Sequence, residues 1–116
     1  VIIVGGGAAG LMAAYSAALH GAEAIVLEKM PSVGRKILIT GKGRCNVTNI
    51  AELSEFIKNI PGNGAFLYSS LHAFDNRSVI NFFEEYGVAT KIERGGRVFP
   101  VSDKAADIVS AFKKVS

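Results

Sequence analysis

The sequence predicts an α/β fold, a three-layer arrangement around a parallel sheet, and three observations carry that expectation. A β-branched run, Val1-Ile2-Ile3-Val4, opens the chain; a glycine cluster and a small-residue helical pattern follow; then comes a second apolar run, Ala24-Ile25-Val26-Leu27. Strand, helix and strand in that order make a βαβ unit over residues 1–29, whose strands run parallel because the helix carries the chain back across the sheet.

Composition agrees with one globular unit. The 116 residues are 49% hydrophobic and 20% charged, which excludes disordered and collagen-like chains. The length suits one core and is too short for a complete two-domain enzyme. Residues 1–22 carry no charged side chain, yet their glycines and alanines lack the character of a membrane span or a signal peptide, so no membrane partner is expected. Net charge is +3 from thirteen basic and ten acidic residues, too mild to argue for nucleic acid. The excess is local: Lys29, Arg35, Lys36, Lys42 and Arg44 fall in a segment, 29–51, without an acid. The single cysteine, Cys45, excludes a disulfide framework and fits a reducing, cytoplasmic setting.

Each element has its own reason. Val1–Val4 reads as a strand buried on both faces. Leu11, Ala14, Ala17, Ala18 and Gly21 give the next helix a small-residue packing face, with Gly21 as its stop. Residues 30–49 read as a long, functional-looking loop in which Ile37-Leu38-Ile39 can form a short extended piece. Residues 51–59 and 65–73 read as short helices separated by the breaker Pro61-Gly62-Asn63-Gly64. Asp75 caps a helix reaching Tyr86, stopped by Gly87. Residues 89–94 and 97–100 flank Gly95-Gly96 as a two-residue hairpin turn, with Pro100 limiting the second strand. Ser102 caps a last helix whose stripe of Ala105, Ile108, Val109, Phe112 and Val115 needs a sheet to cover; Asp103 and Asp107 lie early in it, and Lys113 and Lys114 late.

The chemistry begins at Gly5-Gly6-Gly7-Ala8-Ala9-Gly10, which matches G-x-G-x-x-G between a strand and a helix. Gly5 makes the tight turn, Gly7 lets the backbone approach a diphosphate, and Gly10 permits close helix–strand packing. The helix start, including Ala8 and Ala9, turns amide groups and the positive dipole end toward the anion. Glu28 ends the second strand, where a carboxylate accepts hydrogen bonds from an adenosine ribose and repels a 2′-phosphate. This is a Rossmann-like unit for the ADP half of FAD or NAD, and the fingerprint alone does not separate the two. In the loop, Gly41-Lys42-Gly43 lacks the hydroxyl residue and earlier glycine of a P-loop. Its glycines still allow close backbone approach, and Arg35, Lys36 and Arg44 can offset a diphosphate's charge.

The run Gly34-Arg35-Lys36-Ile37-Leu38-Ile39-Thr40-Gly41-Lys42-Gly43-Arg44-Cys45-Asn46-Val47-Thr48-Asn49 resembles a signature of the bacterial NAD(P)/FAD-dependent oxidoreductases that include aminoacetone oxidase and the bile-acid dehydro-reductase type. Gly96-Arg97-Val98-Phe99-Pro100-Val101-Ser102-Asp103-Lys104-Ala105 is similar to a second block of that family, so the resemblance spans essentially the whole chain. Members run to several hundred residues, so the resemblance implies an N-terminal portion, expected to divide into βαβ unit 1–29, cofactor loop 30–49, helical segment 50–87, and hairpin with helix 88–116. The resemblance implies a flavoprotein that binds FAD and transfers hydride between a small-molecule substrate and an acceptor, with NAD(P)H a candidate electron donor. It implies that Gly5, Gly7, Ala8, Ala9, Gly10 and Glu28 hold the ADP end and that Lys29, Arg35 and Lys36 lie nearby. Thr40, Gly41, Gly43, Arg44, Cys45 and Asn46 would then line the middle of the cofactor and approach the flavin.

Cys45 has no second cysteine with which to form a dithiol, so it is read as a packing thiol. His20 and His72 lack metal-ligand spacing, no metal is expected, and no acid–base group is identifiable. Two other classes stay open: a non-catalytic dinucleotide-binding module, and an RNA-associated flavoprotein using the basic segment on phosphates. Against the latter, no aromatic residue is interleaved among the bases to stack on nucleobases.

Overall fold

The computed structural model describes residues 1–115; Ser116, the end of the last expected segment, lies outside the described residues. Strand β1 (Ile2–Val4), helix α1 (Ala8–Leu19) and strand β2 (Ile25–Leu27) form the opening unit, with β1 and β2 parallel and in register Ile2↔Ile25, Ile3↔Val26, Val4↔Leu27. Leu11 is the buried residue of α1, and the chain leaves the helix through His20 into Gly21 at φ +80°, the left-handed stop expected there. Side chains alternate across the strands. Ile3 and Val26 are half-buried, whereas Ile2, Val4, Ile25 and Leu27 are exposed, Val4 to 86%. Only one sheet face is therefore covered, contrary to the two-faced burial expected of Val1–Val4, because among the described residues no element packs on the other.

The segment after β2 departs from the sequence reading. Arg35–Ile39 is a helix, α2, rather than an extended piece, entered through Gly34 in the left-handed region (φ +73°). Ile37 points inward from it and is buried. A turn over Thr40–Gly43 follows, then strand β3 (Thr48–Asn49), which pairs antiparallel with β5 (Arg97–Pro100); β5 in turn pairs with β4 (Thr90–Glu93), giving the order β3-β5-β4. Between lie α3 (Leu53–Lys58), a 3₁₀ turn at Gly64–Leu67, α4 (Tyr68–Ala73) and α5 (Asn76–Glu85). The Asp75 carboxylate caps α5 by accepting from the Ser78 amide at 2.8 Å, and Gly87 at φ +88° ends it.

Two further expectations are corrected. The last β4–β5 pair is Glu93↔Arg97, so the hairpin loop has three residues, Arg94–Gly96, with both glycines at positive φ; this longer loop is the solution that glycine in the left-handed region allows. Helix α6 (Ala105–Lys114) starts from Lys104 and carries no side-chain cap. The Ser102 hydroxyl accepts instead from the Lys104 amide, before the helix, at 3.2 Å. Asp103, at φ +59°, lies outside α6 altogether.

The core gathers where α6 meets α1, α2 and α5. Ala105, Ile108, Val109 and Phe112 are buried together with Leu11, Ile37, Phe82 and Phe83. Phe112 meets Phe82 at a tilt and Phe83 edge-on, both at 5.5 Å, and Tyr15 meets Phe82 edge-on at 4.8 Å. The α6 stripe is thus covered mainly by helices rather than by the expected sheet. Phe82 and Phe83 from α5 each bury on the order of 150–250 Å², large enough to cover part of the stripe without one.

Candidate functional site

The glycine loop has the geometry its pattern requires. Gly5 sits at φ +100°. A Cβ at Gly10 would fall 1.9 Å from the Gly5 carbonyl oxygen, so only glycine lets α1 start so close to the strand end. A Cβ at Gly7 would meet nothing within 4 Å: the space beside it is open. Helix α1 begins with the Leu11 amide donating to the Gly7 carbonyl at 2.9 Å, and its first turn contains no acidic residue. The amides of Ala8, Ala9 and Gly10 precede that first helical bond, leaving donors and the dipole's positive end for an anion.

Glu28 closes the loop from below. Its carboxylate accepts from the Gly6 amide at 2.7 Å and from the Met30 amide at 3.0 Å. These amides, Met30 first, hold its pKa below the ordinary carboxylate range, so it is ionised at neutral pH, with lone pairs left for further donors. Lys29 beside it is exposed, as are Arg35 and Lys36 on α2.

Gly6, the middle glycine that the G-x-G pattern leaves unassigned, is a residue the sequence reading missed. A Cβ there would lie 2.7 Å from Val33 Cγ1 and 3.2 Å from Glu28 Oε2, and the Gly6 carbonyl accepts from the Gly34 amide at 2.8 Å. The three consecutive glycines were the available signal.

The loop after α2 folds back toward the start of α1. Ala8, Ala9, Thr40, Cys45 and Asn46 line one hollow of about 450 Å³, floored by apolar side chains including Met12, Ile37, Phe74 and Phe83. Five residues singled out in two distant motifs therefore share one surface. Gly41 at φ +55° packs so closely that a Cβ would sit 2.8 Å from the Asn46 amide nitrogen, and Gly43 is at φ +86°. Thr40 Oγ1 donates to the Ile37 carbonyl at 2.6 Å, and Asn46 Nδ2 to the Thr48 carbonyl at 2.9 Å. The Cys45 thiol is buried, and that burial pushes its pKa up. It is a neutral packing thiol at pH 7, not an activated nucleophile.

Arg44 points elsewhere. Its guanidinium donates to Glu93 and, at 2.8 Å, to Asp103, and it lies 4.0 Å above the Phe99 ring. Its charge is balanced inside the protein, by partners 49 and 59 residues away that no local pattern could name. His20 and His72 each bond a carbonyl one turn earlier on their own helices. Among the described residues no group of three His, Cys, Asp or Glu could hold a metal ion, and no helix is long and apolar enough to cross a membrane.

Comparison with known proteins agrees with this arrangement. The family model described as the HI0933-like protein Rossmann domain matches residues 1–115. The chain is 38% identical over 117 residues to the 3-dehydro-bile acid delta(4,6)-reductase of Clostridium scindens, covering 92% of this chain and 26% of that protein. It is 33% identical to the ribosomal RNA dihydrouridine synthases of Escherichia coli and Haemophilus influenzae, covering 93% and 97% of this chain and 26% and 27% of theirs. The chain thus spans about a quarter of the length of these curated relatives. With its βαβ unit, its glycine loop and this match along its length, the chain belongs to the HI0933-like Rossmann domain family, of the FAD-binding oxidoreductase type.

Proposed function

We propose that this chain is the ADP-binding portion of a flavoprotein reductase. The observation that carries the reading is the Glu28 carboxylate held on the Gly6 amide, which puts a ribose-accepting anion beside a loop whose Gly7 faces open space. These residues fit an adenine dinucleotide. Gly7 leaves room for the diphosphate, the first amides of α1 donate to it, and Glu28 accepts from the ribose hydroxyls. Arg35, Lys36 and Lys29 supply exposed positive charge nearby. Thr40, Cys45 and Asn46, which line one hollow with Ala8 and Ala9, would form a wall for the rest of the cofactor. FAD, when bound, supplies hydride chemistry, while the protein supplies position and electrostatics.

The substrate class is an unsaturated organic molecule. The relatives are named for a reductase acting on a 3-dehydro bile acid and for synthases of dihydrouridine in ribosomal RNA, both saturations of a carbon–carbon double bond. Those RNA-directed names favour a second reading in which the substrate is a base within RNA and the exposed Arg35 and Lys36 meet its phosphates. The closer identity to the bile-acid reductase, and the absence of aromatic residues among the bases of 29–44, favour a free small molecule.

The test is to purify the whole protein, denature it and identify the released nucleotide chromatographically. FAD is expected; a colourless protein that binds only NAD overturns the reading. Salt-sensitive RNA binding that is lost when Arg35 and Lys36 are neutralised would select the RNA substrate.

A further inference from the structure

Arg44, Lys91, Glu93 and Asp103 form a closed ring of alternating charge. Arg44 bonds both carboxylates, and Lys91 reaches Asp103 at 2.8 Å and Glu93 at 3.3 Å. The ring joins three segments distant in sequence: the turn after α2, strand β4, and the turn leading into α6. Beneath it the Phe99 ring takes the Arg44 guanidinium on its face at 4.0 Å, a second attraction acting on the same side chain. Two cations and two carboxylates leave no net charge, so the ring is a poor attractor for a diphosphate.

Lys42, Cys45 and Asp103 are the non-glycine residues at positive φ among those described, at +56°, +61° and +59°. One of them belongs to the ring, and the other two lie two residues before and one residue after its Arg44. Side chains other than glycine persist in that region only where their surroundings over-determine the backbone. Asp103 is itself a ring member, and Lys42 and Cys45 flank Arg44 closely in sequence. Cys45, with Thr40 and Asn46, faces the hollow shared with Ala8 and Ala9.

We propose that the Arg44–Glu93–Lys91–Asp103 ring holds residues 40–46 in the strained shape that meets the flavin half of the dinucleotide, so that Arg44 is a positioning residue and not a diphosphate ligand. The proposal rests on the flavoprotein reading above. On that reading Gly5, Gly7, Gly10 and Glu28 account for the ADP half; the hollow beside the start of α1, lined by Ala8, Ala9 and Met12, is then left for the remainder of the dinucleotide. The ring acts on that remainder through the loop, without touching it.

The experiment measures FAD and ADP dissociation constants for the whole protein as wild type, Glu93→Gln, Asp103→Asn, their double variant and Arg44→Lys, together with amide hydrogen exchange of residues 40–46 in the ligand-free state. Asparagine tolerates the left-handed backbone of Asp103, so Asp103→Asn removes charge without adding strain. Each single carboxylate variant is expected to weaken FAD by about tenfold and ADP by less than about twofold, and the double variant to lose less than the product of the two, as members of one network do. Exchange at 40–46 should quicken in each. Parallel loss of ADP and FAD would make the ring mere scaffold and overturn the proposal. Unchanged or tighter FAD in the carboxylate variants, with Arg44→Lys weakening ADP, would instead make Arg44 a diphosphate ligand and overturn it too. Wild-type protein that binds ADP but not FAD would overturn the flavoprotein reading itself, and the proposal with it.

Discussion

The carboxylate of Glu28 accepts a hydrogen bond from the amide of Gly6 at 2.7 Å, tying the end of β2 to the glycine loop 22 residues earlier. The second Glu28 oxygen takes the Met30 amide at 3.0 Å, so the side chain is fixed before any ligand arrives. A carboxylate pre-placed in this way does not spend rotamer freedom on binding.

Glu28→Gln should therefore lower affinity for ADP by about tenfold, since an amide accepts ribose hydroxyls more weakly than a carboxylate. It should also shrink the preference for ADP over its 2′-phosphorylated analogue, because the repelling charge is gone. Calorimetric titration with both nucleotides checks this; an unchanged preference would remove Glu28 from the ribose site.

Acid should loosen the protein through identifiable groups. Glu93 is held below its ordinary range chiefly by Arg44, Asp103 by Lys91 and then Arg44, Asp75 by the amide and hydroxyl of Ser78, and Glu28 by the Met30 and Gly6 amides. A carboxylate with a depressed folded pKa stabilises fully above its unfolded value, about 4 for these groups, and loses that contribution as pH falls through the lower folded value. The Tm should be level from pH 8 to about 5 and fall below about 4, less steeply in the Glu93→Gln, Asp103→Asn double variant. An identical acid slope in wild type and variant would show that the ring carries none of this dependence.

Cys45 offers a further check. Burial raises its pKa and leaves the thiol protonated, and the side chain is only 7% exposed. Alkylation by iodoacetamide at pH 7 should run at least about tenfold slower in native protein than in denaturant. Rapid native labelling would mean that residues 40–46 open freely.

The turn at Gly5 and the close helix contact at Gly10 were legible because their constraints are local, five residues apart. Asp75 and Gly87 were legible for the same reason, each acting on its own helix end. Arg35–Ile39 was misread because Ile37-Leu38-Ile39 is too short for period to distinguish strand from helix, and its helix is entered from a left-handed Gly34 rather than a polar cap. Asp103 and Arg44 were placed by local pattern, one in a helix and the other on a diphosphate. Their pairing across 59 residues is a property of the fold, to which spacing along the chain is blind.

The central claim, that a dinucleotide diphosphate lies against Gly7, is tested most directly by the FAD content and Tm of the whole protein carrying Gly7→Val, with Gly10→Ala as its counterpart. Nothing lies within 4 Å of a Cβ at Gly7, whereas one at Gly10 would strike the Gly5 carbonyl at 1.9 Å. Gly7→Val should fold with a ligand-free Tm within a few degrees of wild type and retain no flavin, while Gly10→Ala should lose stability as well as flavin. Wild-type flavin content in the Gly7→Val protein would contradict the account.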